Sequence, residues 1–251
     1  MMSAIGSGAT KPGVCVVSLG TSGTAFAHAD KPVIDPDGAI AGFCDSTGGW
    51  LPLLCVMNVT GVTEEVRDCF EGASHAELTK DAEAVAAGCG GLLMLPYLQG
   101  ERVPDLPSAT GAMTGWRPGL MTRGHLYRAA LEGTSLSIAS GVDRMRMLGL
   151  TVDAVRLVGG GSKNPLWRQI LADTLEVPVS ALDEPESAAL GGAIQAAWTV
   201  EKIDKPALTC DDVASRYVAA PGEATDPQTA NFEVYRAAKA RLSEETQRLF
   251  G

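Results

Sequence analysis

Val14-Cys15-Val16-Val17-Ser18-Leu19-Gly20-Thr21-Ser22-Gly23-Thr24-Ala25-Phe26-Ala27 reads as an apolar run, a glycine turn and a second apolar run. A second glycine loop, Gly159-Gly160-Gly161-Ser162-Lys163-Asn164-Pro165, follows the run Ala154-Val155-Arg156-Leu157-Val158. Each loop leaves a strand-like segment and offers backbone N–H groups with little side-chain bulk. A phosphate cradled by main chain needs that arrangement. Two such loops, far apart in sequence, point to a nucleotide gripped from two sides.

Composition sets the frame. A chain of 251 residues, 45% hydrophobic and 20% charged, can bury a substantial core. Its apolar runs fall short of the ~20 residues of a membrane span. A formal net charge of −10 argues against a nucleic-acid partner, which favours a basic face. It leaves room for ATP, whose site can rest on backbone dipoles and magnesium. Six cysteines, at 15, 44, 55, 69, 89 and 210, make no CxxC pair, and no secretory signal is read. They are expected to be buried free thiols in a reducing cytoplasm. His28, His75 and His125 lack ligand-like spacing, so no protein-bound metal site is assigned. His75 and His125 read as surface or first-turn helix residues.

Outward from the first loop, Val14–Leu19 and Thr24–Ala29 form a hairpin, and 39–45 with 50–56 form a second pair around Thr47-Gly48-Gly49. Connections this short make the sheet antiparallel at its start. Helices are predicted over 59–70, over 76–87 with Ser74 and Glu77 in capping-box spacing, and over 123–148. Tyr127, Leu131, Thr134, Ile138, Val142 and Met145 recur along that last helix at steps of three or four. Residues 92–98 read as a strand and 99–121 as a long loop of the kind that is often functional. A strand over 153–158 leads to Asn164 and Pro165, an N-cap with proline at the first helical position. That helix runs to about Glu176, and a short strand spans 177–181. Ser187–Val200 is a helix rich in Ala and Gly, suited to close packing. Residues 201–228 read as loop and 231–249 as a final helix.

The motifs resemble the C-terminal domain of the FGGY carbohydrate kinases, with the xylulokinase branch nearest, over residues 4 to about 200. SLGTSGT (18–24) matches the family's phosphate hairpin. LPYLQGERVPDLPSATGAMTGW (95–116) matches its GER loop, with Val103 in place of the usual threonine. GAMTGWRPGLMTRGHLYRAALEG (111–133) fits its second signature, with Trp116 where an aliphatic residue is usual. LVGGGSKNPLWRQILADTLEVPV (157–179) matches its adenosine-binding segment. The resemblance implies an α/β fold, the ribonuclease-H-like domain of the actin-like ATPases, with a mixed sheet flanked by helices. Periodicity alone does not separate this from other α/β folds.

The resemblance also implies roles. Gly20 and Thr21 contact the β- and γ-phosphates, and Gly111 faces the phosphates or ribose from the opposite wall. Gly160 lets the backbone approach the adenosine, and Asn164 bonds the nucleotide. For Glu101 and Arg102 the resemblance implies a role in shaping the cleft; read as residues alone they are a solvated loop pair or a structural salt bridge, and Glu132, one step from the apolar stripe of its helix, reads as a buried structural partner. The cofactors are ATP and Mg2+. The implied reaction moves the γ-phosphate of MgATP to a terminal hydroxyl of D-xylulose. L-ribulose, gluconate, glycerol or another polyol are the alternatives, as is a nucleotide-binding module without catalysis. The family's general base is an aspartate in a GxGD-type turn just ahead of the phosphate hairpin, and the first aspartate here is Asp30. Met1-Met2-Ser3-Ala4-Ile5-Gly6-Ser7-Gly8 resembles the helix and loop that follow that aspartate, so the base is expected just upstream of Met1 and no catalytic residue is assigned within the chain. Residues 1–251 are therefore expected to be the nucleotide-binding half, inactive alone, with base and sugar pocket in an N-terminal domain. The expected partners are ATP or ADP, a sugar reached through that domain and a second copy in a homodimer, with no nucleic acid or membrane. An actin- or chaperone-like switching ATPase fits less well, because of the GER loop.

Overall fold

The computed structural model of the chain describes residues 1–182 and 186–251. Its elements are α1 (Met2–Gly6), β1 (Gly13–Leu19), β2 (Gly23–Ala27), β3 (Ala41–Cys44), β4 (Trp50–Val56), α2 (Thr60–Asp68), α3 (His75–Glu83), β5 (Leu93–Leu95) and β6 (Ala112–Thr114). The second part comprises α4 (Arg123–Met147), β7 (Val152–Val158), α5 (Pro165–Leu175), β8 (Val179–Ala181), α6 (Ser187–Asp204), α7 (Cys210–Tyr217) and α8 (Phe232–Phe250).

The main sheet has the order β3-β4-β2-β1-β7-β8. The first four strands pair antiparallel, as their short turns require, while β1–β7 and β7–β8 pair parallel. Alternation along the strands feeds two layers. Cys15, Val17, Leu19, Leu54, Val56, Val155 and Leu157 face the large core with α4 and α5. Val16, Phe26, Leu51 and Val158 face the other way, onto Ala4 and Ala9. There α1 lies on the Ala/Gly-rich helix α6 so closely that a Cβ on Gly191 would overlap the Met2 carbonyl. The small residues of α6 serve this contact.

Two stretches expected to be irregular hold structure. Within 99–121, β6 pairs with β5, Leu95 opposite Ala112. Within 201–228, α7 starts at a capping box between Thr209 and Asp212, a signal that Thr-x-x-Asp had offered. The cysteines are all free, but Cys44 and Cys69 are exposed while Cys15, Cys89 and Cys210 are buried. Cys44 lies on the edge strand and Cys69 at the C-terminal end of α2, where nothing covers them. Burial pushes the Cys15 thiol up to about 12.

Helix α4 carries more than one apolar stripe. Every residue from 128 to 139 is buried, because helices α2, α3, α5 and α8 and strands β4 and β5 all pack on it. A charged pair sits in that surround. The Arg128 guanidinium donates to Glu132 Oε1 at 2.6 Å and to the Val85 carbonyl at 2.6 Å. Glu132 also accepts from the Tyr235 hydroxyl at 3.0 Å and from Gly88 N at 3.1 Å. Burial raises the Glu132 carboxyl, and Arg128 acts against that rise. The pair ties α8 and the end of α3 to the central helix. Glu101 is equally structural. Buried to 2% exposure, it accepts from Met57 N, Arg102 N and Asn58 Nδ2 and fastens the GER loop to the end of β4. The Arg102 guanidinium turns instead to Cys55 Sγ.

Breaking the buried pair from one side should be costly, since Arg128 would keep its charge without its carboxylate. Glu132→Ala is expected to lose about 3 kcal/mol of stability, read from urea unfolding; a loss below about 1 kcal/mol would show that the network is dispensable.

Candidate functional site

Parallel pairing of β1 with β7 sets Val17 beside Leu157 and Ser18 beside Val158. Both strands end together, so both glycine loops emerge at one sheet edge. Gly159 fixes them in contact. Its φ of +88° is one that side chains disfavour, and a Cβ there would lie 2.7 Å from the Leu19 carbonyl oxygen. On the other side the hairpin is clamped to the start of α2. Thr60 N donates to the Gly20 carbonyl at 2.9 Å and Val59 N to the Thr21 carbonyl at 3.1 Å.

These loops form the floor of a cleft of about 910 Å³. Gly20 and Thr21 enter it from the hairpin, and Gly160, Lys163 and Asn164 from the second loop. Thr60, Thr63 and Glu64 of α2, His75, Thr79 and Lys80 of α3 and Tyr127 of α4 make its wall. Helix α2 begins without a side-chain cap, and the hairpin carbonyls of Gly20 and Thr21 take the N–H groups of Thr60 and Val59 in its place. Among the described residues no group of three or more His, Cys, Asp or Glu side chains could hold a metal.

Four of the five residues singled out in the sequence thus come together. Gly111 does not. It precedes β6, outside the lining of this cleft, and a Cβ there would meet the flexible end of the Leu98 side chain at 2.5 Å. The main chain that faces Thr21 is Thr60-Gly61, with the Thr21 methyl 3.7 Å from a Cβ placed on Gly61. Met1, the marker ahead of which the general base is expected, does not line the cleft either. It is 52% exposed at the N-cap of α1, in the layer that packs on α6, whereas the cleft wall is built on the α4 side of the sheet. Asn164 is a clamp. Its Oδ1 accepts from Trp167 N at 3.1 Å, capping α5, and its Nδ2 donates to Thr79 Oγ1 at 2.9 Å, tying α5 to α3. The same side chain also hydrogen-bonds with the Tyr127 phenol.

The wall holds residues that sequence reading passed over. His75 Nε2 lies 2.9 Å from Glu64 Oε1, and Nδ1 lies 2.8 Å from the Tyr127 hydroxyl. Arg67 pairs with the other Glu64 oxygen at 2.6 Å. Burial raises the Tyr127 phenol, with the Thr79 hydroxyl acting against it. Three helices contribute to this row of contacts, so spacing along one segment gave no sign of it. The one local hint was His75 at the first position after a capping serine.

The sequence model described as "FGGY family of carbohydrate kinases, C-terminal domain" matches residues 15–200. The chain belongs to the FGGY family of carbohydrate kinases. A xylulose kinase of Haemophilus influenzae is 42% identical over 198 residues, covering 79% of this chain and 40% of that protein. A gluconokinase of Bacillus licheniformis is 31% identical over 244 residues, covering 89% of this chain and 46% of that one. The crystal structure of a xylulose kinase from Bifidobacterium adolescentis superposes with a TM-score of 0.79 at 33% identity, over 95% of this chain and 46% of that one. The chain therefore spans less than half the length of these FGGY kinases. Its mixed sheet flanked by helices is the actin-like ATPase fold of the family.

The neighbouring glycines should respond differently to substitution. A Cβ on Gly160 meets nothing within 4 Å, so Gly160→Ala is expected to change stability by no more than about 0.5 kcal/mol. Gly159→Ala is expected to lose about 2 kcal/mol or more, from strain and overlap with Leu19. Thermal or urea unfolding of the two variants checks this, and equal stability would contradict the packing account.

Proposed function

We propose that this domain holds ATP for a sugar kinase that phosphorylates a terminal hydroxyl of D-xylulose. The observation that carries the reading is Gly160. It lines the cleft, its backbone needs no glycine, and its Cβ direction is empty, so the room it leaves suits a ligand. The phosphates rest on the hairpin main chain at Gly20 and Thr21, next to the start of α2. The adenosine lies along Gly160, beside the Asn164 side chain. Lys80 and Lys163 offset phosphate charge. Mg2+ comes with the nucleotide and neutralises phosphate oxygens in transfer.

The remaining parts, a sugar pocket and an aspartate to take the hydroxyl proton, are assigned to residues outside 1–251. The share of the relatives that this chain covers supports that division. The relatives that carry the name xylulose kinase favour D-xylulose. The gluconokinase likeness, which runs over more of the chain, supports gluconate as the second reading. A cytoplasmic setting and a homodimer belong to this proposal too.

Calorimetry with MgADP and MgATP tests it. Residues 1–251 are expected to bind both, and Gly160→Val to lose binding while melting like the parent. Asn164→Ala should weaken binding and cost ~1 kcal/mol of stability through its cap. No phosphorylation of D-xylulose is expected from residues 1–251 alone, since a missing general base typically costs about 10²–10⁴ in rate and lost substrate positioning adds to that. Absent nucleotide binding in the folded chain would overturn the reading. Robust kinase activity from these residues alone would overturn the division of labour.

A further inference from the structure

The two edges of the main sheet are finished differently. Beside β8, Thr225 exchanges two main-chain bonds with Val179, so the chain itself covers that edge. The other edge is β3, Ala41-Gly42-Phe43-Cys44, and all four residues are exposed. Alternation along the β3–β4 pair decides which main-chain groups point outward. Asp45 N donates to the Gly49 carbonyl, so 45 and 49 form a hydrogen-bonded pair, and the register makes Phe43 with Leu51 the next one. Trp50, opposite Cys44, turns its N–H and carbonyl the other way, to Ala29. The N–H and C=O groups of Gly42 and Cys44 therefore face away from the sheet. Among the described residues none of these four groups has a main-chain partner.

Little blunts this edge. It is short, but it carries no lysine, proline or bulge, the devices that keep sheet edges apart. Phe43 is 45% exposed, and Ile34, at 80%, is the most exposed large apolar residue among those described. Ile34 follows Val33, whose carbonyl oxygen lies 2.9 Å from a Cβ placed on Gly42, so it stands beside the edge. Charge also favours a second copy at this place. In a chain of net charge −10, two copies repel each other wherever acids face. Residues 38–44 carry no charge. The nearest acids are held by other groups, Asp35 and Asp37 by Arg144, and Asp45 by His28 and Thr47.

We propose that β3 is a self-pairing edge: two copies of this chain join β3 to β3, antiparallel about a two-fold axis at Phe43, and continue the main sheet across a dimer. The inference gives the homodimer of the proposed function its contact and rests on that reading. The outward groups fix the axis. A two-fold pairing that uses both Gly42 and Cys44 sets Gly42 of one copy opposite Cys44 of the other, with Phe43 opposite itself. Each of the Gly42–Cys44 pairs exchanges two bonds, about four in all. The Phe43 pair is then of the non-hydrogen-bonded kind, in which side chains approach most closely, and the two rings meet across the axis. This contact is small beside the roughly 1,000 Å² of a stable interface, so the dimer is weak and its population rises with concentration.

Sedimentation velocity of residues 1–251 over a concentration series, on the parent and on Phe43→Lys, tests the proposal. The parent is expected to move from 26.0 kDa toward twice that mass as concentration rises. Phe43→Lys sets two ammonium groups face to face and removes the ring pair, so it should weaken the dimer about tenfold or more. The residue is exposed, and the variant should keep the parent's circular dichroism. A crosslink reads the register. With Cys44→Ser and Cys69→Ser removing the exposed thiols, Phe43→Cys should give a disulfide between copies when oxidised glutathione is the oxidant. The two Cα atoms at 43 would stand about 4.5–5.5 Å apart, within disulfide reach. Ala41→Cys, also exposed and on the same face of β3, should give none, since the pairing sets 41 opposite 45. A parent that stays monomeric, as expected if the edge serves a different chain, overturns the interface and the homodimer reading together. A dimer that survives Phe43→Lys, or crosslinking at 43 that is absent or no greater than at 41, overturns the interface alone.

Discussion

Everything at the cleft depends on the parallel ladder between β1 and β7. Parallel pairing makes two strands, separated by most of the chain, finish at the same edge, so loops that are remote in sequence become adjacent. The ladder alone would leave them a strand spacing of about 5 Å apart. Gly159 closes that gap by laying its Cα against the Leu19 main chain, where any side chain would overlap. The loops are then one rigid surface. Rigidity matters for holding phosphate, because N–H groups already in position need not be reorganised when the anion arrives.

The wall above that floor is set by a different interaction. Helices α2 and α3 are short, and neither would be stable apart from the rest. Both lie on α4, whose buried length gives them a fixed bed. The Arg128–Glu132 pair bonds to main-chain groups at the end of α3, through the Val85 carbonyl and Gly88 N, and to Tyr235 of α8. A buried ion pair adds little net stability against an apolar alternative, but its loss from one side is expensive. Its contribution here is positional, since it fixes where α3 ends. The Thr79–Asn164 bond then holds α3 at its set distance from α5, and the cleft width follows.

Much of this was legible in the sequence where the signal is local. The two glycine loops, the antiparallel start of the sheet, the capping box at Ser74 and the Asn164-Pro165 helix start all rest on residues within a few positions of one another. Strand β6 escaped because three residues among prolines and glycines carry too little alternation to register. Helix α7 escaped because eight residues with an ordinary capping box were outweighed by the breakers on either side. The site divides in the same way. Gly20, Thr21, Gly160 and Asn164 sit in the loops that name themselves. Gly111 was assigned by motif alone and lies outside the lining of this cleft, and His75, Glu64 and Tyr127 meet only because three helices converge.

The glycine run 159–161 separates two reasons for glycine that a sequence cannot distinguish. Gly159 is required by a left-handed φ and by Leu19. Gly161 is required by packing, since its Cβ would fall 2.8 Å from Leu19 Cβ and 3.0 Å from the Trp167 ring. Gly160, between them, has neither requirement: its φ is ordinary and the space at its Cβ is open. A side chain there would clash with nothing in the protein. It would instead stand in the cleft, in the stretch that Thr21, Thr60 and Asn164 border. Folding thus explains the glycines on either side and leaves the middle one to what enters the cleft, the position at which substitution should spare the fold and block the ligand.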